Sequence, residues 1–378
     1  MTSAPPVSKS FNIRESSFED YPQILALESA YDLQPKTYET WKNLWSNNPA
    51  FHQFQRRFGQ QWPIGWVLTD GDRIVGSIGN IPMLYEFEGR TLFVAAGHAW
   101  VVDETYRSYS PFLLDLFFTQ ERVDLCLATS VNAQAAKVYE ELRAIRVPKG
   151  EWDQSLFWIT NYKGFTSSLL RSKNVPVAKL FSYPLSTLVW LKDRLARPHR
   201  NSVSSPISVT RCYEFGSEFD ALWNSLRQRN LQHLFAVRDR ETLNWHFKPA
   251  LVAGRLWLFT VSAEGKLLAY AIFLHQDNPK YGLKRVRLVD FQSLSDSEKH
   301  LTVMLEAALK QCQVEKTHML EILGFSPEQR DSIRELQPLQ RQLPSWLYLY
   351  RTSDPVLAEK LKNPQVWSPC VFDGDLSL

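Results

Sequence analysis

Cysteine is scarce in this chain of 378 residues: there are four, at 126, 212, 312 and 370, far apart and with no CxxC or Cys/His pairing at zinc spacing. That excludes a disulfide-stapled scaffold and a structural zinc site, and free thiols in a reducing compartment are expected. No charge of one sign dominates. The 43 basic and 40 acidic side chains leave a net charge of +3, which argues against a nucleic-acid partner held on a cationic face. Long apolar runs are missing too. The longest, 180–191, is bounded by Lys179 and Lys192 and interrupted by Pro184. It falls short of the roughly 20 residues that cross a bilayer, so no integral membrane segment is expected. Residues 1–10 (MTSAPPVSKS) lack the apolar core of a secretory signal, and a cytoplasmic location is the expectation. What is present is a globular composition, 44% apolar and 22% charged, with length for two domains. Aromatic residues reach 13%, including 13 Trp, which suits large cores and equally an apolar ligand channel.

Apolar periodicity predicts a strand at 11–14, helices over 17–30 and 37–45, and a loop or irregular helix at 47–63. Strands at 62–69, 73–87 (broken at Pro82) and 91–102 read as a three-strand antiparallel meander, with tight turns at Asp70-Gly71-Asp72 and Glu88-Gly89. A basic, hydroxyl-rich turn at 105–111 then feeds a helix. A strand at 125–129, a helix from Asn132 and a strand at 156–160 follow. A bridge at 164–205 carries apolar helical material at 175–195 and a polar linker, RPHRNSVSS, at 197–205. The second half repeats the order: strand 207–210, helices 217–226 and 239–247, and strands 255–262, 267–275 and 285–294. Helix 297–312, strand 319–324, helix 327–336 and strand 346–351 complete it. The likeness lies in order and spacing, not in residue identity. It predicts an α+β fold of two tandem units, 1–163 and 206–378, joined by the bridge 164–205. Each is a mixed, mainly antiparallel twisted sheet flanked by helices.

Candidate chemistry concentrates in 94–142. Ser110 is a suitable N-cap and Pro111 a suitable first helical residue. The free N–H groups of that helix start favour an anion, and Arg107 adds a positive charge beside them. Every helix has such a start, and most hold no ligand. In the next unit Asn132, Ala135 and Tyr139 stand at N-x-x-A-x-x-x-Y on one helix face. That face offers an amide, small residues that permit close approach, and a phenol one turn on. The alternative for the same residues is a capping Asn132 and a Tyr139 packed against the sheet. His98, four residues before Val102, is the candidate general base, because an imidazole titrates near neutrality. A histidine satisfied within the sheet is the alternative, and Glu86 and Glu88 are further candidates for the role.

Together these features resemble the GNAT superfamily of acyl-CoA-dependent N-acyltransferases, over roughly residues 11–162. The family's phosphate loop reads Val-x-x-x-x-Arg-x-x-Gly-x-Gly/Ala. Val102 and Arg107 keep that spacing, and Ser110 and Phe112 stand where the glycines would be. The resemblance implies that Arg107, Ser108, Tyr109, Ser110, Phe112 and Leu113 meet the pyrophosphate of coenzyme A. It implies that Trp100, Val101 and Val102 pair with the pantetheine arm like an added strand, and that Asn132 contacts that arm. Tyr139 would protonate the departing thiolate. Pro111 removes a backbone donor from the loop, which brings an acyl-carrier-protein thioester into view beside acyl-CoA as co-substrate. No metal is implied. Arg143-Ala144 stands where the family has Gly-Phe.

In the second half the corresponding turn, 294–300, has Asp296 and Glu298 where phosphates would lie, and N-x-x-A-x-x-x-Y is missing. Like charges there disfavour a pyrophosphate. It resembles the degenerate half of tandem GNAT proteins. Asp290 there is a candidate to bind an acceptor ammonium, or a hydrogen-bonded sheet residue, the preferred reading. The tail 367–375 (WSPCVFDGD) reads as a docking segment, and the apolar bridge as packing between the domains, lining a channel for a long acyl chain or touching a membrane surface. The implied activity is direct transfer of an acyl group to a primary amine on a small molecule or peptide, Lys and Orn side chains included. The many aromatics favour acyl groups larger than acetyl. Two other readings remain open. A Fem-type aminoacyl transferase using aminoacyl-tRNA needs a strongly basic groove. A non-catalytic module is favoured by the missing glycines and opposed by Arg107, Asn132 and Tyr139.

Overall fold

The computed structural model describes residues 11–148, 154–174, 185–188, 190–191, 206–294, 299–343 and 347–378. The first sheet is built on β1 (Phe11–Glu15), β2 (Gly65–Asp70), β3 (Arg73–Phe87), β4 (Arg90–Val102) and β5 (Leu125–Val131). β1 to β4 are antiparallel neighbours, while β4 and β5 run parallel. Three helices precede β2: α1 (Tyr21–Ala30), α2 (Tyr38–Ser46) and α3 (Pro49–Phe58). α4 (Ser110–Phe118) links β4 to β5, and α5 (Ala133–Glu141) leads to the short β6 (Ile145–Arg146).

Two local expectations are corrected. The segment 47–63 contains the regular helix α3, because Asn48 Oδ1 caps Ala50 N at 2.9 Å, Pro49 opens the first turn and Gly59 ends the helix at φ +68°. β3 runs through Pro82 without a break. The Pro82 carbonyl accepts from Asn48 Nδ2 at 2.8 Å, not from β4, and β2 pairs with β3 only as far as Gly79. The ring nitrogen therefore faces a side where no ladder bond is lost.

β7 (Gln154–Ile159) and α6 (Tyr162–Ser172) follow. The second half adds β8 (Thr210–Cys212), α7 (Glu218–Arg229), β9 (Phe235–Ala236), α8 (Arg240–Val252), β10 (Leu256–Ala263), β11 (Lys266–His275) and β12 (Arg285–Ser293). Next come α9 (Lys299–Val314), β13 (Met319–Ile322), α10 (Pro327–Ser332), β14 (Leu339–Gln342), β15 (Leu347–Arg351) and α11 (Pro355–Lys360).

The halves exchange strands, which the sequence did not reveal. β7 lies in the second sheet between β13 and β14, and β15 lies in the first sheet between β5 and β6. The strands expected at 156–160 and 346–351 thus each complete the other half's sheet. One continuous buried cluster runs through both halves. The boundary expected in 195–206 falls almost wholly outside the described residues, as do most of the apolar bridge and positions 295–298 of the second-half turn. Among the described residues no helix is long and apolar enough to cross a membrane.

Candidate active site

Each sheet carries the same irregularity. In β4, Ala99 and Trp100 together oppose Ile78 of β3, a bulge in which Ala99 takes a left-handed φ of +47°. β4 pairs with β5 only over residues 94–96 and 125–127, and beyond them the strands part. A cleft of about 260 Å³ opens in the gap, lined by residues 97–100 and 128–132 and by Glu28, Lys36, Trp41, Tyr139 and Asp375. In β12, Val289 is the extra residue opposite β11, and pairing with β13 ends at Leu288. There the gap is filled by the chain's own tail. Phe372 N donates to Val289 O at 3.1 Å and Phe325 N to Pro369 O at 2.8 Å. Gly324, at φ +78°, permits this, since a Cβ on it would stand 2.2 Å from the Pro369 carbonyl oxygen.

A buried ion cluster fastens the tail. Arg238, 2% exposed, donates through Nε to both oxygens of Asp290 at 3.0 Å, and its Nη2 lies 3.6 Å from Asp373 Oδ1. Tyr270 Oη donates to Asp290 at 2.6 Å, and the guanidinium sits 4.6 Å from the ring centres of Phe235 and Phe372. Asp290 is therefore the hydrogen-bonded sheet residue of the preferred reading. Burial raises the Asp373 carboxyl above its usual range, with Arg238 opposing.

From Asp373 the chain crosses to the first cleft through Gly374. Its φ is +86°, and a Cβ there would lie 2.3 Å from Thr129 Oγ1. Asp375 then meets His98: Nδ1 donates to Oδ2 at 3.1 Å, while Oδ1 accepts from Thr129 Oγ1 at 3.1 Å and Ser130 Oγ at 3.2 Å. Burial would raise the Asp375 carboxyl, but the bond to His98, its charge and the Thr129 hydroxyl hold it below the usual range. Beyond it, Gln276 Nε2 donates to Leu376 O, His246 Nε2 meets Ser377 Oγ, and Lys36 Nζ donates to Leu378 O, each at 2.8 Å.

Tyr139 forms the inner wall of the cleft, held edge-on between Trp100 (5.4 Å, 83°) and Phe118 (5.7 Å, 87°). Burial, and then the Asp375 charge, push its phenol well above the ordinary value, so it stays protonated. Asn132 caps α5, accepting from Gln134 N at 3.0 Å and Ala135 N at 2.9 Å, and stands at the cleft's lip. Burial pushes the Glu28 carboxyl up and the Lys36 ammonium down from their ordinary values. Trp100 Nε1 is buried with no hydrogen-bond partner among the described residues.

The cleft brings together His98, Trp100, Asn132 and Tyr139 of the predicted set. Val101 and Val102 are buried in the sheet beyond the bulge. Residues 104–109 form a six-residue 3₁₀ turn started by the Asp103 side chain. Tyr109, not Ser110, is the N-cap of α4. Ser110 is the first helical residue, and its hydroxyl donates back to Arg107 O at 2.7 Å. Arg107 is 62% exposed and pairs with Glu104 at 3.0 Å. Ser108 is exposed, Tyr109 packs on Phe11 at 4.5 Å, and Phe112 is 57% exposed. Leu113 is fully buried in the core, so its side chain faces no donor. Glu86 and Glu88 lie near the far end of the β3–β4 hairpin, engaged by Thr91 and Lys360 respectively. Sequence reasoning missed Asp375, Thr129, Ser130, Glu28 and Lys36. The one available signal was FDGD in the tail, two acids around a glycine.

By sequence, no family model and no curated protein matches the chain. Its fold does match solved structures. N-myristoyltransferase of Saccharomyces cerevisiae, solved with bound myristoyl-CoA, superposes with a TM-score of 0.58 at 12% identity, over 93% of this chain and 82% of that one. A probable N-acyltransferase from Enterococcus faecalis gives 0.56 at 11% identity, over 91% and 73%. A GCN5-related N-acetyltransferase from Kribbella flavida gives 0.53 at 10%, over 92% and 72%. The chain has the GNAT fold, in tandem. Identities this low establish architecture alone. Within that architecture the bulged β4 and its parted neighbour β5 leave an open cleft, and between β12 and β13 the gap is closed.

Proposed function

We propose that this protein is an N-acyltransferase that moves an acyl group from a coenzyme A thioester to a primary amine by direct attack, in the cleft between β4 and β5. The observation that supports this reading most is the His98–Asp375 pair, brought into the cleft that Tyr139 also lines. A carboxylate can only accept, so His98 Nδ1 carries the proton and Nε2 is the basic nitrogen. The acceptor enters past Glu28 as the neutral amine and gives a proton to Nε2 as the new C–N bond forms. Its lone pair attacks the thioester carbonyl carbon. The C–S bond then breaks and its electron pair leaves on sulfur. Tyr139 donates its proton there and recovers one from His98 through water, so the proton lost by the amine ends on the thiol. On the donor side, the pantetheine arm would lie along residues 100–102 and past Asn132. The pyrophosphate would meet the 104–109 turn, where Arg107 exchanges Glu104 for phosphate. The acceptor is an amine-bearing small molecule or a peptide.

A panel of acyl-CoAs in a thermal-shift assay tests the donor site, and absence of any shift would sink it. With a turnover-competent amine, Tyr139→Phe and His98→Gln should each lower kcat by about 10²–10⁴ while donor affinity stays within a few-fold. Unchanged kcat removes that residue from its role.

A further inference from the structure

A second ion cluster lies on the second sheet, and its charge balance is the reverse of the one that fastens the tail. At Arg238 one guanidinium stands between two carboxylates and is covered by Phe372. Here one carboxylate, Glu321 of β13, is ringed by three guanidiniums. Arg287 Nε donates to its Oε2 at 2.7 Å and Arg285 Nη1 to the same oxygen at 3.3 Å, while Ser155 Oγ and Arg341 Nη2 donate to Oε1. Burial would raise the Glu321 carboxyl, but Arg287, Arg285 and Arg341 hold it down to about 2, so it is ionised.

Positive charge is left over. The other acid nearby is Asp277, which accepts from the backbone N–H of Arg285 at 2.9 Å. With it counted, three cations face two anions. Arg285 and Arg287 are two positions apart on β12, so they share a sheet face about 7 Å apart and repel. Burial, and then Arg287, lower the Arg285 guanidinium to about 10. Donor capacity is left over as well. Gln276 takes Arg285 Nε on its carbonyl at 3.0 Å and Arg287 Nη1 on its side chain at 2.9 Å. Nη2 of both arginines, and Nε and Nη1 of Arg341, have no hydrogen-bond partner among the described residues. The three side chains are 17%, 12% and 41% exposed, so these donors are within reach of solvent.

We infer that this cluster is an oxyanion site, taking a phosphate or a carboxylate on the guanidinium edges that Glu321 leaves open. Glu321 fixes the guanidiniums, and the ligand supplies the missing negative charge to planar forks suited to paired oxygens. None of these residues lines the cleft between β4 and β5, so the site stands independently of the donor reading. Gln276 joins the two regions, because it also donates to Leu376 O, next to Asp375.

Inorganic phosphate, acetate and citrate, titrated into the full chain by calorimetry with chloride at matched ionic strength as reference, test this. Saturable binding beyond chloride is expected, with a matching rise in Tm. Arg341→Gln is the informative variant, since Arg341 is the most exposed of the three and Glu321 keeps Arg285, Arg287 and Ser155. It should weaken binding about tenfold or more, the worth of a hydrogen bond to a charged group. Arg73→Gln, at an exposed arginine of the first half paired with Asp103, should leave binding unchanged. Saturation by phosphate, by the carboxylates or by both carries the inference and names the ligand class. Absence of saturation by any of them, or a response that both variants share, overturns it and leaves Glu321 at the centre of a structural ion cluster.

Discussion

Replacing Arg238 by Met tests the ion cluster that fastens the tail. The guanidinium is 2% exposed, with Asp290 fully buried on one side and Asp373 on the other. Met roughly matches the aliphatic stem and keeps the contacts with Phe235 and Phe372, so the change removes chiefly charge and hydrogen bonds. Two carboxylates are then left buried with no cation. Breaking one side of such a pair costs about 3–5 kcal/mol. Urea unfolding followed by tryptophan fluorescence measures it.

The same cluster makes an asymmetric prediction for its other members. Burial raises the Asp373 carboxyl above its unfolded value of about 3.9, against the pull of Arg238. A raised acid binds its proton more tightly when folded, so its ionised form costs stability above the folded pKa, and that cost disappears as pH falls below it. Asp373→Asn should therefore change stability by no more than about 1 kcal/mol at pH 7. The Arg238→Met deficit should shrink as pH falls from neutrality into the carboxylate range, where the stranded Asp373 can be protonated. A loss under about 1 kcal/mol for Arg238→Met, or a deficit equal at pH 7 and pH 5, would refute the reasoning.

Two further perturbations follow from geometry. Gly374→Ala forces a left-handed φ on alanine and sets a Cβ 2.3 Å from Thr129 Oγ1. It should cost about 1–3 kcal/mol, and it should lower kcat more than it raises the donor KM because Asp375 leaves His98; an unchanged kcat would show that the pair is not used. Arg107→Ala should weaken coenzyme A and leave S-acetyl pantetheine unaffected, since Arg107 can meet only the phosphates. Equal losses for both ligands in a competition assay would place Arg107 elsewhere.

The first half was largely legible from the chain. The meander, the strand–helix pair at 125–141 and the positions of His98 and Tyr139 follow from periodicities and turns that are local in sequence. Asn132 illustrates the limit: it caps α5, as the alternative reading had it, and it also stands at the cleft's lip. The strand exchange was not legible, because β7 and β15 are ordinary apolar strands and nothing local tells such a strand which sheet it joins. The helix start at 110 shifted by one residue for a local reason: the 3₁₀ turn through 104–109 hands its geometry straight to α4, leaving the Ser110 hydroxyl free to bond backwards. Asp375 was hidden by distance, since it lies 277 positions from the histidine it holds.

On the proposed function, that distance gives the second half a role. Both sheets open the same gap beside a bulged strand, yet only one gap is available to a ligand. The other is taken by residues 369–372, held by backbone bonds to Val289 and Phe325 and locked beneath by Arg238. Three residues later the same peptide presents Asp375 to His98. A free tail would lose much conformational entropy on reaching that position, at ~1–2 kcal/mol for each ordered backbone residue. Anchoring in the second gap places that cost in folding, so the carboxylate is already in position before any donor binds. On the proposed function, the second half holds a residue of the first half's site from the place where its own sheet opens. The prediction that separates this from a passive scaffold is a rescue. If Arg238→Met folds below its melting temperature but leaves His98 unoriented, imidazole or acetate added at millimolar concentration should restore part of the lost turnover. A passive scaffold would show the stability loss alone, with kcat per folded molecule intact.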